Sequence, residues 1–225
     1  MFTQGFDWHP VILSLRVAVI AVISVTLLGL PVARLMARRE FYGKEMLEAA
    51  ITLPLVLPPS VIGYGLLILI GKNGLVGQAL SGMGLSIIFT WWAAVLASTV
   101  VAFPLMYQSA KAAFGSVDMN YEKAARTLGA GEVRIFFTVT LPLAWPGVLA
   151  GLVLSFARAL GEFGATLMVA GNIPGQTQTI PLAIYFAVES GDNATARTLV
   201  GLITIFSFLV IFWVNRRARS FLKTY

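Results

Sequence analysis

Residues 11–36 read VILSLRVAVIAVISVTLLGLPVARLM, with fifteen Leu, Ile and Val and a single charge, Arg16, before Arg34. A helix that crosses a bilayer needs about 20 mainly apolar residues, and this run supplies them without a break. An arginine at the bilayer centre costs about 2.5–3.5 kcal/mol, while each Leu, Ile, Val or Phe returns about 0.3–0.6 kcal/mol. Arg16 also stands one to two turns from the start of the run, so its head can snorkel outward. The run exceeds the ~7–15 residue core of a signal peptide, and the ten residues before it hold no Lys or Arg. It reads as a retained first span.

Four more runs follow, at about 48–70, 87–109, 143–163 and 198–215. Across the chain 58% of residues are hydrophobic and 12% charged, against about 25% charged in soluble domains, and mean hydropathy is +0.84. The expectation is an all-α polytopic membrane protein: one transmembrane domain over residues 1–225, with about five transmembrane helices. No linker, low-complexity tract or repeat divides it.

Lys and Arg set the orientation, because cytoplasmic loops carry their excess. Arg34, Arg38, Arg39 and Lys44 follow span one. Lys111, Lys123, Arg126 and Arg134 follow span three. Arg216, Arg217, Arg219 and Lys223 close the chain, which makes twelve of the sixteen basic residues. Lys72 and Arg197 fall on the other side. The N-terminus is therefore expected outside and the C-terminus inside. Trp91 and Trp92 at the outer end of span three, and Trp213 at the inner end of span five, suit membrane interfaces.

The same composition excludes several functions. The absence of cysteine removes disulfides, zinc–thiolate sites and a Cys nucleophile. His9 stands alone near the N-terminus. The net charge of +6 is spread beside the spans rather than along one stripe, so it does not point to nucleic acid. An intramembrane enzyme needs a nucleophile with a base, or a metal cluster, and neither is present. A secondary transporter or channel is the main rival class, but ionisable residues within the spans are few and no inverted repeat is detectable.

Proline and glycine break span two, which reads Leu53-Pro54-Leu55-Val56-Leu57-Pro58-Pro59-Ser60, then Gly63 and Gly65. Irregular backbone is tolerated in a membrane where protein buries it or it lines a wet cavity. Pro58, Pro59, Ser60 and Gly63 are candidate pathway or hinge residues, with a plain packing kink as the alternative. Arg158 and Glu162, four apart in span four, fall on one helical face and can pair, either as a gate or as a self-satisfied seam. Gly161 and Gly164 beside them are candidate hinges. Ser60, Ser155 and Thr166 can line a pathway or serve helix packing. Residues 171–196 are too polar for a full span, and 180–188 suit a short outer or re-entrant helix.

The cytoplasmic segment 118–142 carries the functional signal. Glu122-Lys123-Ala124-Ala125-Arg126-Thr127-Leu128 favours helix, Asp118 or Asn120 can cap it, and Gly129 can end it in the left-handed conformation. Small Ala124 and Ala125 admit another backbone, and Leu128, one turn away, can anchor in a groove. The result is a short helix built to dock, flanked by Glu122, Lys123 and Arg126.

This segment resembles the coupling-loop signature of ABC importer permeases: Glu-Ala-Ala, three residues, Gly, nine residues, Ile, one residue, Leu-Pro. Here Ala124-Ala125 leads to Gly129, then nine residues to Val139, Thr140 and Leu141-Pro142. Lys123 stands at the glutamate position, with Glu122 beside it, and Val139 replaces the isoleucine. Residues 53–67, 122–142, 155–166 and 172–185, including Gly161-Glu162-Phe163-Gly164-Ala165-Thr166 and Asn172-Ile173-Pro174-Gly175, resemble the molybdate, sulfate and tungstate permeases. Some relatives carry an extra N-terminal span, and this chain is expected to lack it. The resemblance implies a homodimeric pore in the bacterial inner membrane. It implies two separate ATPase subunits on the cytoplasmic face that bind ATP and Mg, and an extracytoplasmic binding protein that delivers an oxyanion, most simply molybdate. No Gly-x-x-x-x-Gly-Lys-Ser/Thr phosphate loop occurs in the chain, so no cofactor is expected on it.

Overall fold

The computed structural model describes residues 6–222. Expectations for the side chains of Trp213, Arg217, Arg219 and Lys223 fall outside what is described. The described residues form helices α1 (His9–Arg38), α2 (Lys44–Val56), α3 (Pro59–Ile70), α4 (Leu75–Ser81), α5 (Trp91–Ser116), α6 (Met119–Thr127), α7 (Glu132–Ile135), α8 (Leu141–Leu160), α9 (Gly164–Ala170), α10 (Ile180–Glu189) and α11 (Asn193–Leu222). A π-helical turn over Phe136–Thr140 joins α7 to α8 without a break. Four helical stretches are long and apolar enough to cross a membrane, and the bent pair α2–α3 makes a fifth if it counts as one span.

That pair is sharper than the kinked span the sequence suggested, with a bend of 117°. Its cause is local. Leu57 precedes Pro58, and the proline ring drives the residue before it out of the α region. Leu57 is accordingly extended, at φ −73° and ψ 141°. Pro59 then opens α3 at the helix start, where its missing N–H costs nothing. α5 starts at Trp91 rather than in the expected 87–90, because Phe89 has φ +60° and Thr90 is extended.

α5 is the core of the bundle and packs most extensively against α1 and α8. Ala93, Ala94, Ala97, Ala102 and Ala110 are buried along it, and small residues of this kind let helix backbones approach closely in a membrane. A Cβ on Gly151 of α8 would lie 2.9 Å from Ser109 Cβ and 3.0 Å from Met106 Sδ, so this crossing has no room for a larger residue. Met106, Tyr107 and Phe114 fill the remaining space, fully buried.

At one end of the bundle Arg16 stacks over Trp91, 3.9 Å from the ring centroid, and Trp91 stacks on Trp92. The snorkelling arginine thus finds a cation–π partner at an amphipathic belt. α10 is short and packs on α11. The Ile180 N–H donates to Ser14 Oγ at 2.7 Å and ties α10 to α1. At the opposite end Lys111 pairs with Glu48, and the Tyr107 hydroxyl donates to the same carboxylate at 3.3 Å, which holds α2 to α5.

Candidate coupling site and hinge

α6 begins as its sequence requires. Asp118 sits at the N-cap and its carboxylate accepts from the Asn120 N–H at 2.9 Å. The end is a Schellman closure. Gly129 has φ +82°, its N–H donates to Arg126 O at 2.9 Å, and the Ala130 N–H donates to Ala125 O at 3.1 Å. A left-handed residue at this place favours glycine.

Between these caps the helix has two faces, separated by 100° per residue. Tyr121, Ala124 and Leu128 share one face and are exposed, with Leu128 88% exposed. An apolar side chain held that openly on a capped helix is accessible to a groove on another protein. Lys123 is exposed beside them, and Ala125 is half-buried.

Glu122 falls on the opposite face, and here the structure corrects the expectation that it flanks the docking surface. It is 3% exposed. Its carboxylate lies 3.1 Å from Arg38 Nη2 and 3.5 Å from Arg126 Nη2, and it accepts from Thr140 Oγ1 at 2.8 Å. Arg38 also donates to Val117 O at 3.0 Å, at the end of α5. One buried carboxylate therefore ties α6 to the last turn of α1, the end of α5 and the π turn that enters α8. The π turn inserts an extra residue, as such bulges do near functional sites, and Thr140 is fully buried facing Glu122. Leu141 then packs against the main core, and Pro142 stands in the first turn of α8, where proline is at home.

Arg126 is shared. It forms a forked contact with Glu132 at 2.5 and 3.1 Å, and this bond is the first cause holding its guanidinium above its ordinary pKa. Arg34 approaches Glu132 at 3.6 Å and lies over the Phe136 ring. Arg34, Arg38 and Thr140 were not singled out as site residues in the sequence. The signal that was available is the i, i+4 spacing of Arg34 and Arg38 at the end of an apolar helix.

The second group of candidates meets at the other break. Arg158 Nη1 lies 2.8 Å from a Glu162 carboxylate oxygen. The other oxygen accepts from the Ala165 N–H at 2.7 Å, so Glu162, 2% exposed, also caps α9. Gly161 ends α8 and is exposed. A Cβ on Gly164 would lie 3.0 Å from Pro59 Cβ, and one on Gly63 would lie 2.7 Å from Met168 Cβ. The α8–α9 break thus abuts the α2–α3 break: two irregular segments distant in sequence form one joint. Pro58, Pro59 and Ser60 are exposed there, whereas Gly63 is buried. Ser155 Oγ donates to Ala102 O at 3.4 Å, a packing contact with α5. Thr166 is buried at the start of α9.

A family model for the binding-protein-dependent transport system inner membrane component matches residues 10–221. The chain belongs to that family. It is therefore a multi-pass component of the inner membrane, of a family of transport subunits rather than enzymes. Among relatives of this family, a molybdenum transport system permease of Haemophilus influenzae is 48% identical over 213 residues, covering 92% of this chain and 93% of the relative. One of Escherichia coli K12 is 45% identical over 219 residues, covering 95% and 96%. In solved structures the fold is similar to a chain of a bacterial alginate ABC transporter in complex with an alginate pentasaccharide-bound periplasmic protein. There the TM-score is 0.75 at 15% identity, over 98% of this chain and 81% of that one. The binding-protein-dependent permease fold is thus reached at an identity where only architecture is shared.

Proposed function

We propose that this chain is the membrane-spanning permease of an ATP-driven importer whose cargo is molybdate. It lies in the inner membrane as one domain of five spans, counting α2–α3 as one, with the N-terminus outside and the C-terminus inside. Two copies form the pore, two separate ATPase subunits bind at the cytoplasmic face, and an external binding protein delivers the oxyanion. The names of the relatives at 45–48% identity support the cargo. The periplasmic protein bound to the alginate transporter supports the external partner. The clustering of basic residues after α1, α5 and α11 supports the orientation.

The observation that carries the reading is α6 itself, a capped helix with Leu128 exposed on one face and Glu122 buried on the other. Leu128, Ala124 and Tyr121 enter a groove of the ATPase, with Lys123 at the rim. Glu122 passes the displacement to the ends of α1, α5 and α8. ATP binding draws the two ATPases together, moves the paired α6 helices with them and opens the pore outward; hydrolysis and product release return it inward. Each ligand does this only by preferring one of the two states. ATP and Mg stay on the partner, and this chain supplies docking, leverage and the path.

The test is ATP-dependent uptake into vesicles holding the permease and its ATPase, with the binding protein loaded with molybdate, tungstate or sulfate. Molybdate uptake alone is expected. Sulfate or tungstate uptake instead changes the cargo and keeps the importer. Uptake without ATP or the binding protein makes the chain a secondary transporter or channel.

The α8–α9 joint against Pro59 is the hinge of that cycle. Overpacking costs about 1–3 kcal/mol, and borne by one state it shifts the balance about five- to 150-fold. Gly164→Ala, which pushes on Pro59, is expected to cut uptake about tenfold with assembly intact. Gly161→Ala, whose nearest neighbour is Ala157 O at 3.5 Å, is expected to change it little. Full uptake by Gly164→Ala removes the hinge.

A further inference from the structure

Beside the coupling site a groove of about 950 Å³ runs between α1 and the segment that follows α6. It follows α1 from Thr26 to Arg39, thirteen rises or about 20 Å. Its two ends differ in chemistry. Leu27, Leu30 and Pro31 on one wall face Val133 and Phe137 on the other, and Leu27, Val133 and Phe137 are 69%, 73% and 61% exposed. The other end holds Arg34, Arg38, Arg39 and Arg126 against Glu122 and Glu132, four positive charges to two negative. Arg38 and Arg126 are engaged by Glu122 and Glu132, and Arg34 keeps only a longer 3.6 Å contact to Glu132. Arg39 is exposed and makes no ion pair among the described residues.

An amphiphile with an anionic head matches this gradient. The apolar wall suits an acyl chain, and the arginine end adjoining it suits an anionic head. Depth agrees as well. One leaflet of the ~30 Å hydrocarbon core is about 15 Å thick. Leu27 lies seven rises, about 10 Å, from Arg34, so with the arginines at phosphate level the apolar end stays inside the inner leaflet. Basic pockets between spans on the cytoplasmic side bind anionic head groups.

We propose that this groove binds one anionic phospholipid of the inner leaflet, its phosphate diester held by Arg39 and Arg34 and an acyl chain lying along Leu27, Val133 and Phe137. The lipid bridges the end of span one to the segment entering span four, beside the joint that Glu122 closes. The inference rests on the orientation given above, but its readout is lipid retention rather than uptake, so the two can fail separately.

The experiment uses the intact permease–ATPase complex, extracted in detergent and examined by native mass spectrometry for retained phosphatidylglycerol. The same complex is reconstituted with phosphatidylglycerol carrying a photoreactive acyl chain. Retained phosphatidylglycerol and cross-links confined to residues 27–31 and 133–137 are expected. Each arginine near the membrane surface is worth about fivefold in anionic-lipid binding. Arg39→Gln is thus expected to lower retention about fivefold and Arg34→Gln/Arg39→Gln about 25-fold, with phosphatidylethanolamine unaffected. Val133→Trp fills the groove and removes the cross-links while the complex still assembles. Equal retention in wild type and the double variant, cross-links scattered over the apolar surface, or displacement by inorganic phosphate overturns the proposal. So does efficient disulfide formation from Val133→Cys to a single cysteine placed in a neighbouring subunit, which makes the groove an intersubunit seam; the cysteine-free chain keeps that arm clean.

Discussion

Leu128→Glu is expected to abolish ATP-driven uptake while the permease purifies in normal yield and melts at its usual temperature. Leu128 is 88% exposed, and substitutions at such positions change stability by about 0.5 kcal/mol or less. On the proposed function the same side chain enters a groove of the ATPase. Truncating a central apolar anchor costs about 2 kcal/mol or more, roughly a thirtyfold loss of affinity, and a carboxylate forced into that pocket is also desolvated without a partner. Leu128→Ala is expected to weaken ATPase capture about tenfold or more, and Lys123→Ala, at the rim, much less. Pull-down of the ATPase, a melt of the permease alone and vesicle uptake separate these effects. Wild-type uptake by Leu128→Glu means that this face does not dock the ATPase.

The contrast between Leu128 and Glu122 shows what the sequence could carry. Local residue types are enough for a helix over 122–128 ended by Gly129, with Asp118 or Asn120 as its cap; the structure starts it at Met119 and gives the cap to Asp118. The apolar runs likewise announced the long helices, since the hydropathy of a span needs no knowledge of its neighbours. The direction Glu122 points is a different kind of fact. Helical periodicity turns it about 120° away from Leu128, but only the fold brings Arg38, 84 residues away, and Thr140 to meet it. The pairing of the two breaks has the same character. Pro58-Pro59 and Gly161–Gly164 were each readable as irregular, yet their contact depends on α3 packing against α9. The 117° bend was also out of reach, because a proline pair states that a helix stops but not where the next one goes. Arg158 and Glu162 were legible as a pair from their i, i+4 spacing. The second duty of Glu162, capping α9, required knowing that α8 ends at Leu160.

Glu122 yields the other large effect, and of the opposite kind. Removing one member of a buried ion pair leaves the other charge uncompensated and costs about 3–5 kcal/mol. Glu122→Ala strands Arg38, whose side chain is 14% exposed, and unpairs Thr140. Arg38→Met leaves Glu122 only the longer 3.5 Å contact to Arg126, a cation that Glu132 already holds at 2.5 Å. Each is expected to lower the apparent Tm of the detergent-solubilised permease by about 10 °C and to reduce uptake in step. Because burying two charges is itself expensive, an apolar pair of similar volume can replace them at little cost. Glu122→Leu/Arg38→Met is therefore expected to recover most of the melting temperature, with a coupling energy of about 1–3 kcal/mol between the sites. Uptake then decides what the junction is for. If leverage needs only that α6 be fixed to α1 and α5, the double variant transports as well as it folds. If uptake stays low at restored stability, the charges themselves reorganise during the cycle, with Arg126 free to move between Glu122 and Glu132 at 3.5 and 2.5 Å. Single variants that melt within a degree of wild type remove the junction as a structural tie, because a carboxylate this deeply buried cannot lose its counter-charge without cost unless the helix end has already come apart.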